Sequence, residues 1–308
     1  MSELSAALEK PVQAALHAAG DETPIRAAQE VTGGCINNAT RLVTEKRSYL
    51  LKWNPRAKPE AFQQEILGLR LLAATQTVRV PAVYANGMDF GANSPAFLLL
   101  EWLEPSGSAD PARLGEQLAA LHHHDRIPAG LTGFTAPDIP AYGLDHDNNI
   151  GGTPQINTWN ADWAGFFVTC RIIPQMQMAE RNGRLSGQRR ENLERLITRI
   201  PDLLRGPKRQ PALIHGDLWS GNVIPGPGCL ALIDPAVSFS DREAELAYTE
   251  LFGGFSPRFY EAYQHVWPLD PGYTERRDLY NLYHLLNHLN LFGEGYGSGV
   301  DSVLRRYL

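Results

Sequence analysis

A short polar segment between two apolar strand patterns constrains this chain more than any other feature. Residues 215–222 read HGDLWSGN and follow the apolar residues 212–214. Asp234 lies twelve residues beyond Asn222, after a second apolar run at 230–233. A carboxylate, an amide five residues later and a second carboxylate beyond a short hairpin form the order that a kinase catalytic site requires. The segment therefore predicts phosphoryl transfer on a strand, loop and hairpin.

Four residues of this region carry the predicted chemistry. Asp217 is the candidate base, because phosphoryl transfer needs a carboxylate within hydrogen-bond reach of the attacking hydroxyl. Asn222 and Asp234 offer hard oxygen ligands of the kind that Mg²⁺ prefers. Taken separately they could be an ordinary turn residue and strand-end residue, but their order favours a metal site. We expect His215 to brace the loop by hydrogen bonding rather than to transfer protons.

Two charged residues predict the nucleotide side of the site. Lys52 lies in a predicted strand, and Glu65 follows thirteen residues later on the apolar face of a predicted helix. Two unrelated surface charges are the alternative. A carboxylate on an apolar face needs a partner, so we expect an ion pair that directs the lysine ammonium at the phosphates of ATP.

A glycine-rich connection precedes the lysine strand. It contains Gly33, Gly34 and Cys35, followed by Asn37 and Asn38. Glycine permits positive φ and close approach, so backbone N–H groups here would reach phosphate oxygens. The pattern does not fit G-x-G-x-x-G, and its position between two predicted strands carries the interpretation.

The adenine edge has its own candidate segment. Glu101, Trp102 and Leu103 end a continuous apolar run and would offer backbone groups to the base. A simple strand end is the competing interpretation.

The hydrophobic pattern changes character near residue 103. Before it, a first helix, three short strands, a helix opened by Pro59 and strands near 80–84 and 96–100 predict a β-rich region. After it, Asp110 and Pro111 begin a helix, and further helices are expected at about 160–181 and 186–204. A capping box of Ser240 and Glu243 predicts the next helix. A last strong helix stops at Gly293.

Composition restricts the class of protein. Hydrophobic residues make up 43% and charged residues 20% of the 308 residues, as in ordinary soluble globular proteins. The net charge of -6 disfavours a nucleic-acid partner, which demands a basic face. Apolar runs stay short of the roughly 18 residues that span a bilayer, and a secretory leader is not recognisable. We expect a cytoplasmic protein with its three scattered cysteines reduced.

Several segments together resemble the fructosamine kinase (ketosamine kinase) family. They are the catalytic segment 215–222, the IDPA run at 233–236, DREAELA at 241–247, GGCIN at 33–37, the middle segments 149–151 and 155–159, LFGGF at 251–255 and LYHLLNHLNLFG at 282–293. The resemblance covers nearly the whole chain. The family belongs to the aminoglycoside-phosphotransferase-like branch of the protein-kinase-like fold.

The resemblance implies an α+β, two-lobed kinase-like fold. Residues 1–103 would form the β-rich nucleotide-binding lobe, and residues 104–308 the mainly helical catalytic and acceptor-binding lobe. ATP, with Mg²⁺, would bind between them. The implied reaction is phosphorylation of a sugar hydroxyl of ketosamines, either free amines or glycated protein lysines, by a monomer or homodimer.

The acceptor side is inferred from the resemblance alone. Trp219, with His215 beside it, would contact the acceptor, and the segment containing Gln155, Asn157, Trp159 and Trp163 would line its pocket. Cys35 in the phosphate loop is a candidate for redox control, although an idle thiol is the simpler interpretation.

Other functions stay open at this level. The catalytic loop is shared with kinases for choline, aminoglycosides and other small hydroxyl-bearing amines or sugars. Pro235 and Ala236 follow Asp234 where protein kinases have Phe-Gly, and Gly216 stands where they usually have Arg. Both departures suit the small-molecule branch. An inactive kinase-like binding protein is a further alternative, disfavoured by the complete set of catalytic residues.

Overall fold

The protein is described here by a computed structural model that covers residues 6–31, 37–91, 93–105, 107, 110–206, 209–226 and 229–308. Gly33, Gly34 and Cys35, the core of the expected phosphate loop, lie outside these residues.

The amino-terminal region is built on an antiparallel sheet. Its described strands pair in the order β1-β2-β3-β5-β4. They are β1 (Ala27–Glu30), β2 (Asn38–Val43), β3 (Ser48–Asn54), β4 (Val83–Asn86) and β5 (Ala96–Glu101). Helices α1 (Ala6–Ala18) and α2 (Gln63–Ala74) flank it, α2 being preceded by a 3₁₀ turn at Pro59–Phe62.

Strand β5 is buried on both faces of the sheet, which explains its continuous apolar run. Phe97 and Leu99 pack with Val12 and Leu16 of α1, whereas Leu98 and Leu100 pack in the cluster that contains α2. Side chains alternate across a strand, so a strand covered on both faces needs apolar residues at successive positions.

The rest of the chain is mainly helical. Its helices are α3 (Pro111–His122), α4 (Trp163–Phe166), α5 (Ile173–Arg181), α6 (Gly187–Leu203), α7 (Arg242–Leu251), α8 (Pro257–Val266), α9 (Tyr273–Phe292) and α10 (Gly297–Tyr307). Short two-stranded antiparallel sheets complete it. Two are hairpins, β6 (Asn148–Ile150) with β7 (Thr153–Gln155) and β9 (Val223–Gly226) with β10 (Cys229–Leu232), and in another β8 (Ala212–Ile214) pairs with β11 (Ser238–Ser240) on either side of the β9–β10 hairpin. This β-rich region followed by a helical region is the α+β arrangement predicted; the boundary at residue 103 stays a prediction.

The hydrophobic core explains how the two regions are joined. One buried cluster contains Leu98 and Leu100 of the sheet together with Leu114 and Leu118 of α3. A parallel bridge between Arg79 and Ala231, with the Leu232 N–H donating to the Arg79 carbonyl at 2.8 Å, ties the same sheet region to the β9–β10 hairpin. The hairpin that precedes Asp234 is therefore fixed to both regions.

Several sequence expectations need correction. The expected helix over 160–181 contains a π-helical turn, Phe167–Ile172, between α4 and α5. The cap of α7 is Asp241, whose side chain accepts from the Glu243 N–H, while Ser240 ends β11. The strand expected at 80–84 is β4, two to three residues later. Helices α8 and α10 were not predicted.

Within the described residues, no helix is both long and apolar enough to cross a membrane.

Candidate active site

The catalytic segment connects strand β8 to the first strand of the β9–β10 hairpin. It leaves β8, which pairs with β11, passes Asp217, makes a 3₁₀ turn at Ser220–Asn222 and enters β9. The Ile233 N–H donates to the Asn222 carbonyl at 3.1 Å, which closes the hairpin next to Asp234. This path brings Asp217, Asn222 and Asp234 to one end of the β9–β10 hairpin.

Gly216 gives the loop its shape. Its φ is +85°, in the left-handed region, and a Cβ at this position would lie 2.0 Å from the carbonyl oxygen of Ala236. The Ala236 N–H in turn donates to the His215 carbonyl at 2.8 Å. Two backbones approach so closely here that only glycine fits.

A buried carboxylate of α7 holds the loop from behind. Glu245 accepts from the backbone N–H of His215 at 3.1 Å and of Gly216 at 2.6 Å. The His122 ring contacts the same carboxylate at 2.9 Å and the Tyr263 hydroxyl at 2.8 Å. These hydrogen bonds outweigh burial and hold the Glu245 pKa below its usual value, although burial alone would raise it. Glu245 is therefore an anion that fixes the loop backbone.

His215 braces the loop, as expected. The ring is fully buried; its Nε2 lies 2.9 Å from the Ile233 carbonyl, and its Nδ1 accepts from the Asp217 N–H at 3.3 Å. One nitrogen donates and the other accepts, which requires a neutral ring with its proton on Nε2. Burial lowers the His215 pKa in agreement. Direct contact with an acceptor does not fit this position.

Asp217 is held by neutral groups. The Asn222 Nδ2 donates to its backbone carbonyl at 2.8 Å and to its Oδ2 at 3.1 Å. The Tyr248 hydroxyl lies close enough to lower the pKa of the same side chain. Burial raises the pKa of Asp217 to about 6, against the lowering effect of these hydrogen bonds. A carboxylate with this proton affinity suits a general base.

The predicted lysine pair is present and includes a third residue. Lys52 Nζ lies 2.6 Å from Glu65 Oε1 and also bonds to Asp234. Burial lowers the Lys52 pKa, but attraction to both carboxylates outweighs it, so the pKa lies above its usual value. The ammonium is therefore charged, and it joins the sheet and α2 to the hairpin end.

Asp234 has the geometry of a specialised position. Its φ is +56°, a conformation that few non-glycine residues adopt, and its side chain is 44% exposed. The Nδ2 group of Asn222 donates its hydrogen bonds to Asp217, which leaves the amide oxygen of Asn222 as a ligand for a cation. Two hard oxygen donors fit Mg²⁺, which takes its other ligands from phosphate and water.

The adenine-edge candidates use their side chains elsewhere. Glu101 pairs with Arg79 and accepts from the Ala82 N–H at 3.2 Å. The indole of Trp102 donates to Glu104 at 2.7 Å. With Leu103 half-buried beside them, only backbone groups of this segment are left as candidates for contact with the base.

The two asparagines of the phosphate loop lie at the start of β2. Asn37 accepts from the Asn54 Nδ2 at 3.1 Å, and Asn38 pairs with Trp53 of β3. Both are thus next to the lysine strand, as the sequence predicts.

The acceptor-side candidates divide by exposure. Trp219 is 40% exposed, and its ring folds over Gly221, where a Cβ would lie 2.2 Å from it. Trp159 is half-buried with its ring centroid 6.0 Å from that of Phe239. These two indoles stay candidates for acceptor contact.

The other acceptor-side candidates are interior. Gln155 is bonded to Asn148, to the Ala236 carbonyl and to Tyr283, and Asn157 is bonded to Asn148. Trp163 packs in a second core cluster, which lies in the helical region and includes Leu193 of α6 and Leu286 of α9. Gln155 and Trp163 border an interior cavity of about 30 Å³, too small for a sugar. These three side chains are buried among other protein groups, and their place at the acceptor pocket stays a prediction.

Sequence patterns did not identify Glu245, Tyr248 or His122 as parts of the site. Glu245 occurs in the quoted stretch 241–247, but without a role, and Tyr248 is the next residue. Seven residues of α7 are buried on several faces, polar ones included. An amphipathic pattern carries no signal for such a helix.

Comparisons with known proteins agree on one family. A family model described as "Fructosamine kinase" matches residues 8–308. A "probable ketoamine kinase" of Synechocystis is 40% identical over 94% of this chain and 92% of its own. The chloroplastic protein-ribulosamine 3-kinase of Oryza sativa subsp. japonica is 37% identical over 100% of this chain and 86% of its own.

Solved structures show the same fold. The crystal structure titled "putative fructosamine-3-kinase" from Haemophilus somnus 129PT is 30% identical, with a TM-score of 0.82 and 96% coverage of both chains. The streptomycin–ATP–APH(2″)-IIa ternary complex is 13% identical, with a TM-score of 0.60, 99% coverage of this chain and 97% of the other. The second likeness concerns the fold alone.

Proposed function

The chain belongs to the fructosamine kinase family, and from that premise we propose that it transfers the γ-phosphoryl group of ATP to a sugar hydroxyl of a ketosamine, with Asp217 as base. The observation that carries the proposal is that two carboxylates lie at the same end of the β9–β10 hairpin in different electrostatic surroundings. Asp217 retains affinity for a proton, whereas Asp234 is paired with Lys52.

The proton and the phosphoryl group move in opposite directions. As the acceptor hydroxyl attacks the γ-phosphorus, its proton passes to the Asp217 carboxylate. The bond between the γ-phosphorus and the bridging oxygen breaks, and ADP leaves with that oxygen. Asp217 positions the hydroxyl and takes the proton, while the charge on the phosphoryl oxygens needs cationic neighbours.

The nucleotide side supplies those neighbours. Lys52, oriented by Glu65, would bind phosphate oxygens. Asn222 and Asp234 would hold Mg²⁺, which neutralises charge on the transferring group when bound. We place the adenine at the backbone of residues 101–103 and the phosphates at the glycine-rich residues 33–38.

The acceptor side is inferred from exposure. Trp219 lies two residues from the base and offers an exposed aromatic face, and Trp159 is the second candidate. The acceptor would be a ketosamine, either a free amine or a glycated lysine, that meets Asp217 with one sugar hydroxyl. We further propose that the enzyme works in the cytoplasm.

The test is phosphate transfer from ATP across a panel of fructosyl-lysine, ribulosyl-lysine, choline, aminoglycosides and free sugars. The proposal expects a clear preference for one of the two ketosamines. Preference for choline or an aminoglycoside would reassign the acceptor and leave the kinase chemistry intact. Nucleotide binding without turnover on any acceptor would indicate an inactive kinase-like binding protein.

A further inference from the structure

The segment that follows β5 has unpaired backbone groups. Among the residues that the structure describes, the N–H and carbonyl groups of Trp102 and Leu103 have no hydrogen-bond partner. The Glu101 N–H just before them donates to the Ala82 carbonyl at 2.8 Å, so the start of the segment is fixed. Free donors and acceptors beside a fixed strand end suit adenine, which carries an amino donor and ring-nitrogen acceptors.

Arg79 holds the start of this segment from one side. Its guanidinium forms an ion pair with Glu101 and donates to the Val80 carbonyl at 2.6 Å. The second carboxylate oxygen of Glu101 accepts from the Ala82 N–H at 3.2 Å. Both side chains are partly exposed, so the ion pair adds little stability by itself. Its effect is to fix the orientation of the segment.

Arg79 also contacts the hairpin that carries the metal-ligand candidate. Its carbonyl accepts from the Leu232 N–H at 2.8 Å, and it forms a parallel bridge with Ala231. Leu232 lies two residues before Asp234. Through its backbone Arg79 is therefore bonded to the β9–β10 hairpin, and through its side chain to the start of the segment 101–104.

Arg41 of β2 holds the segment from the other side. Its guanidinium lies over the Trp102 ring, 4.7 Å from the centroid, and donates to Glu104 at 3.0 Å. The Trp102 indole donates to the same Glu104 oxygen at 2.7 Å. Arg41 is itself bonded to the Ser48 hydroxyl at 3.2 Å. The two residues that flank Leu103 are therefore fixed to each other and to the sheet.

The sheet relates this segment to the phosphate side of the site. In the pairing of β3 with β5, Glu101 is opposite Tyr49 and Leu98 is opposite Lys52. Three residues of extended strand separate the two pairs, a length of roughly 10 Å. Holding the segment 101–104 in place therefore also fixes its distance from the Lys52 ammonium.

We propose that Arg79 and Arg41 are positioning residues for ATP, which hold the segment 101–104 so that the backbone of Trp102 and Leu103 meets the adenine. This inference rests on the proposed ATP-dependent function. Neither arginine needs to touch the nucleotide. A segment that is ordered before binding lowers the entropic cost of association, so the contribution should appear in ATP affinity rather than in the rate of phosphoryl transfer.

The primary variant is Arg79→Met, which keeps the apolar stem and the backbone carbonyl and removes the ion pair. We expect KM and Kd for ATP to rise roughly 3- to 10-fold, with kcat at saturating ATP and KM for the ketosamine within about twofold of the parent. Arg47→Met is the matched control, because Arg47 donates to the Tyr84 hydroxyl at 3.2 Å, away from the segment. Parental ATP affinity in Arg79→Met would overturn the proposal.

A double-mutant cycle separates the ion pair from other effects of the substitution. Glu101→Gln should weaken ATP binding about as much as Arg79→Met, and the double variant should be less than about twofold weaker than either. Two independent losses that multiply would contradict the role of the ion pair. Arg41→Met should also weaken ATP binding about 3-fold, and an unchanged Kd would remove Arg41 from the proposal.

The readouts distinguish this inference from the proposed function and from a general structural effect. Calorimetric titration with ATP, without acceptor, gives the Kd of each variant well below its melting temperature. A parent that binds no ATP would refute the proposed function itself. A parent that binds and turns over, with Arg79→Met unchanged in affinity, would refute only the positioning role. A fall in kcat together with a rise in both KM values would show a general structural effect and contradict the proposal.

Discussion

Asp217 and Asp234 lie at the same hairpin end but in opposite electrostatic settings. Asp234 bonds to a charged lysine and is 44% exposed, whereas the side chain of Asp217 accepts a hydrogen bond from the neutral amide of Asn222. The first carboxylate is paired with a cation and partly exposed, and it suits a metal ligand. The second keeps proton affinity and suits a base. Burial and partner charge assign the two roles more clearly than sequence order does.

The largest expected effect concerns turnover. Asp217→Asn keeps the size of the side chain, and its amide oxygen can still accept from Asn222, but it cannot take the proton of the acceptor hydroxyl. We expect kcat to fall about 10²- to 10⁴-fold, with ATP affinity little changed. Steady-state kinetics and ATP titration measure the two quantities. Near-normal turnover of Asp217→Asn would show that Asp217 is not the base, and the difference in role between the two carboxylates would be wrong.

The next prediction concerns the brace behind the loop. In Glu245→Gln, one carboxylate oxygen becomes an NH₂ group that faces a backbone N–H of His215 or Gly216. An unsatisfied buried group of this kind costs about 1–3 kcal/mol of unfolding free energy. We also expect kcat to fall roughly tenfold, because the loop loses an anchor.

Its control is a second glutamate of the same helix. Glu250 bonds to Tyr273 and Arg277 near the surface, so Glu250→Gln should change both quantities far less. Urea unfolding and kcat, measured side by side, decide the matter. Similar losses in both variants would mean that α7 as a whole, not the brace, supports the loop.

We expect Asp217→Asn to raise the free energy of unfolding although it lowers kcat. Its folded pKa of about 6 lies above the ordinary 3.8, so ionisation is costlier in the folded state. That cost is fully present above about pH 6 and vanishes below 3.8. Asp217→Asn removes it, and we expect a gain of about 1–3 kcal/mol in unfolding free energy at pH 7.

The pH dependence supplies the check. The gain of Asp217→Asn over the parent should shrink as pH falls from about 6 towards 3.8. Chemical denaturation at several pH values measures it. A gain that does not vary with pH would show that the raised pKa is not its source.

The smallest expected effect is at the partner carboxylate. Asp234→Asn removes an ion pair that is partly solvent-exposed, and such pairs contribute about 0–1 kcal/mol. We expect unfolding free energy at pH 7 to fall by no more than that, so the two Asp→Asn variants should differ in sign. If Asp234→Asn raised the unfolding free energy as much as Asp217→Asn, the two carboxylates would not differ in electrostatic setting as described.

Sequence predicted the parts of the site that depend on local order. Lys52 lies in β3, and Glu65 follows thirteen residues later on the apolar face of the next helix, so their pairing could be predicted from local order. Asp217, Asn222 and Asp234 likewise belong to one continuous strand, loop and hairpin. The interior support was not readable in the same way. Glu245 acts through hydrogen bonds that reach from α7 to the loop backbone, and nothing in its spacing distinguishes it from other polar residues of a helix buried on several faces.

The missed helices have a similar explanation. Helix α10 begins with Gly-Ser-Gly, a poor helix former, and forms because Val300, Val303 and Leu304 are buried in the second core cluster. The π-helical turn at Phe167–Ile172 likewise follows from packing, with Phe167 and Ile172 buried in that cluster. Local propensity gives way to tertiary contact at both places.

The brace on the catalytic loop bears on how the enzyme is made. Glu245 is 29 and 30 residues downstream of the backbone groups that it binds, and 123 residues downstream of His122. Chains leave the ribosome from the amino terminus at about 5–20 residues per second. The loop is therefore synthesised before its anchor exists, and a nascent chain that already contains Asp217 and Asp234 should stay catalytically silent until α7 has emerged.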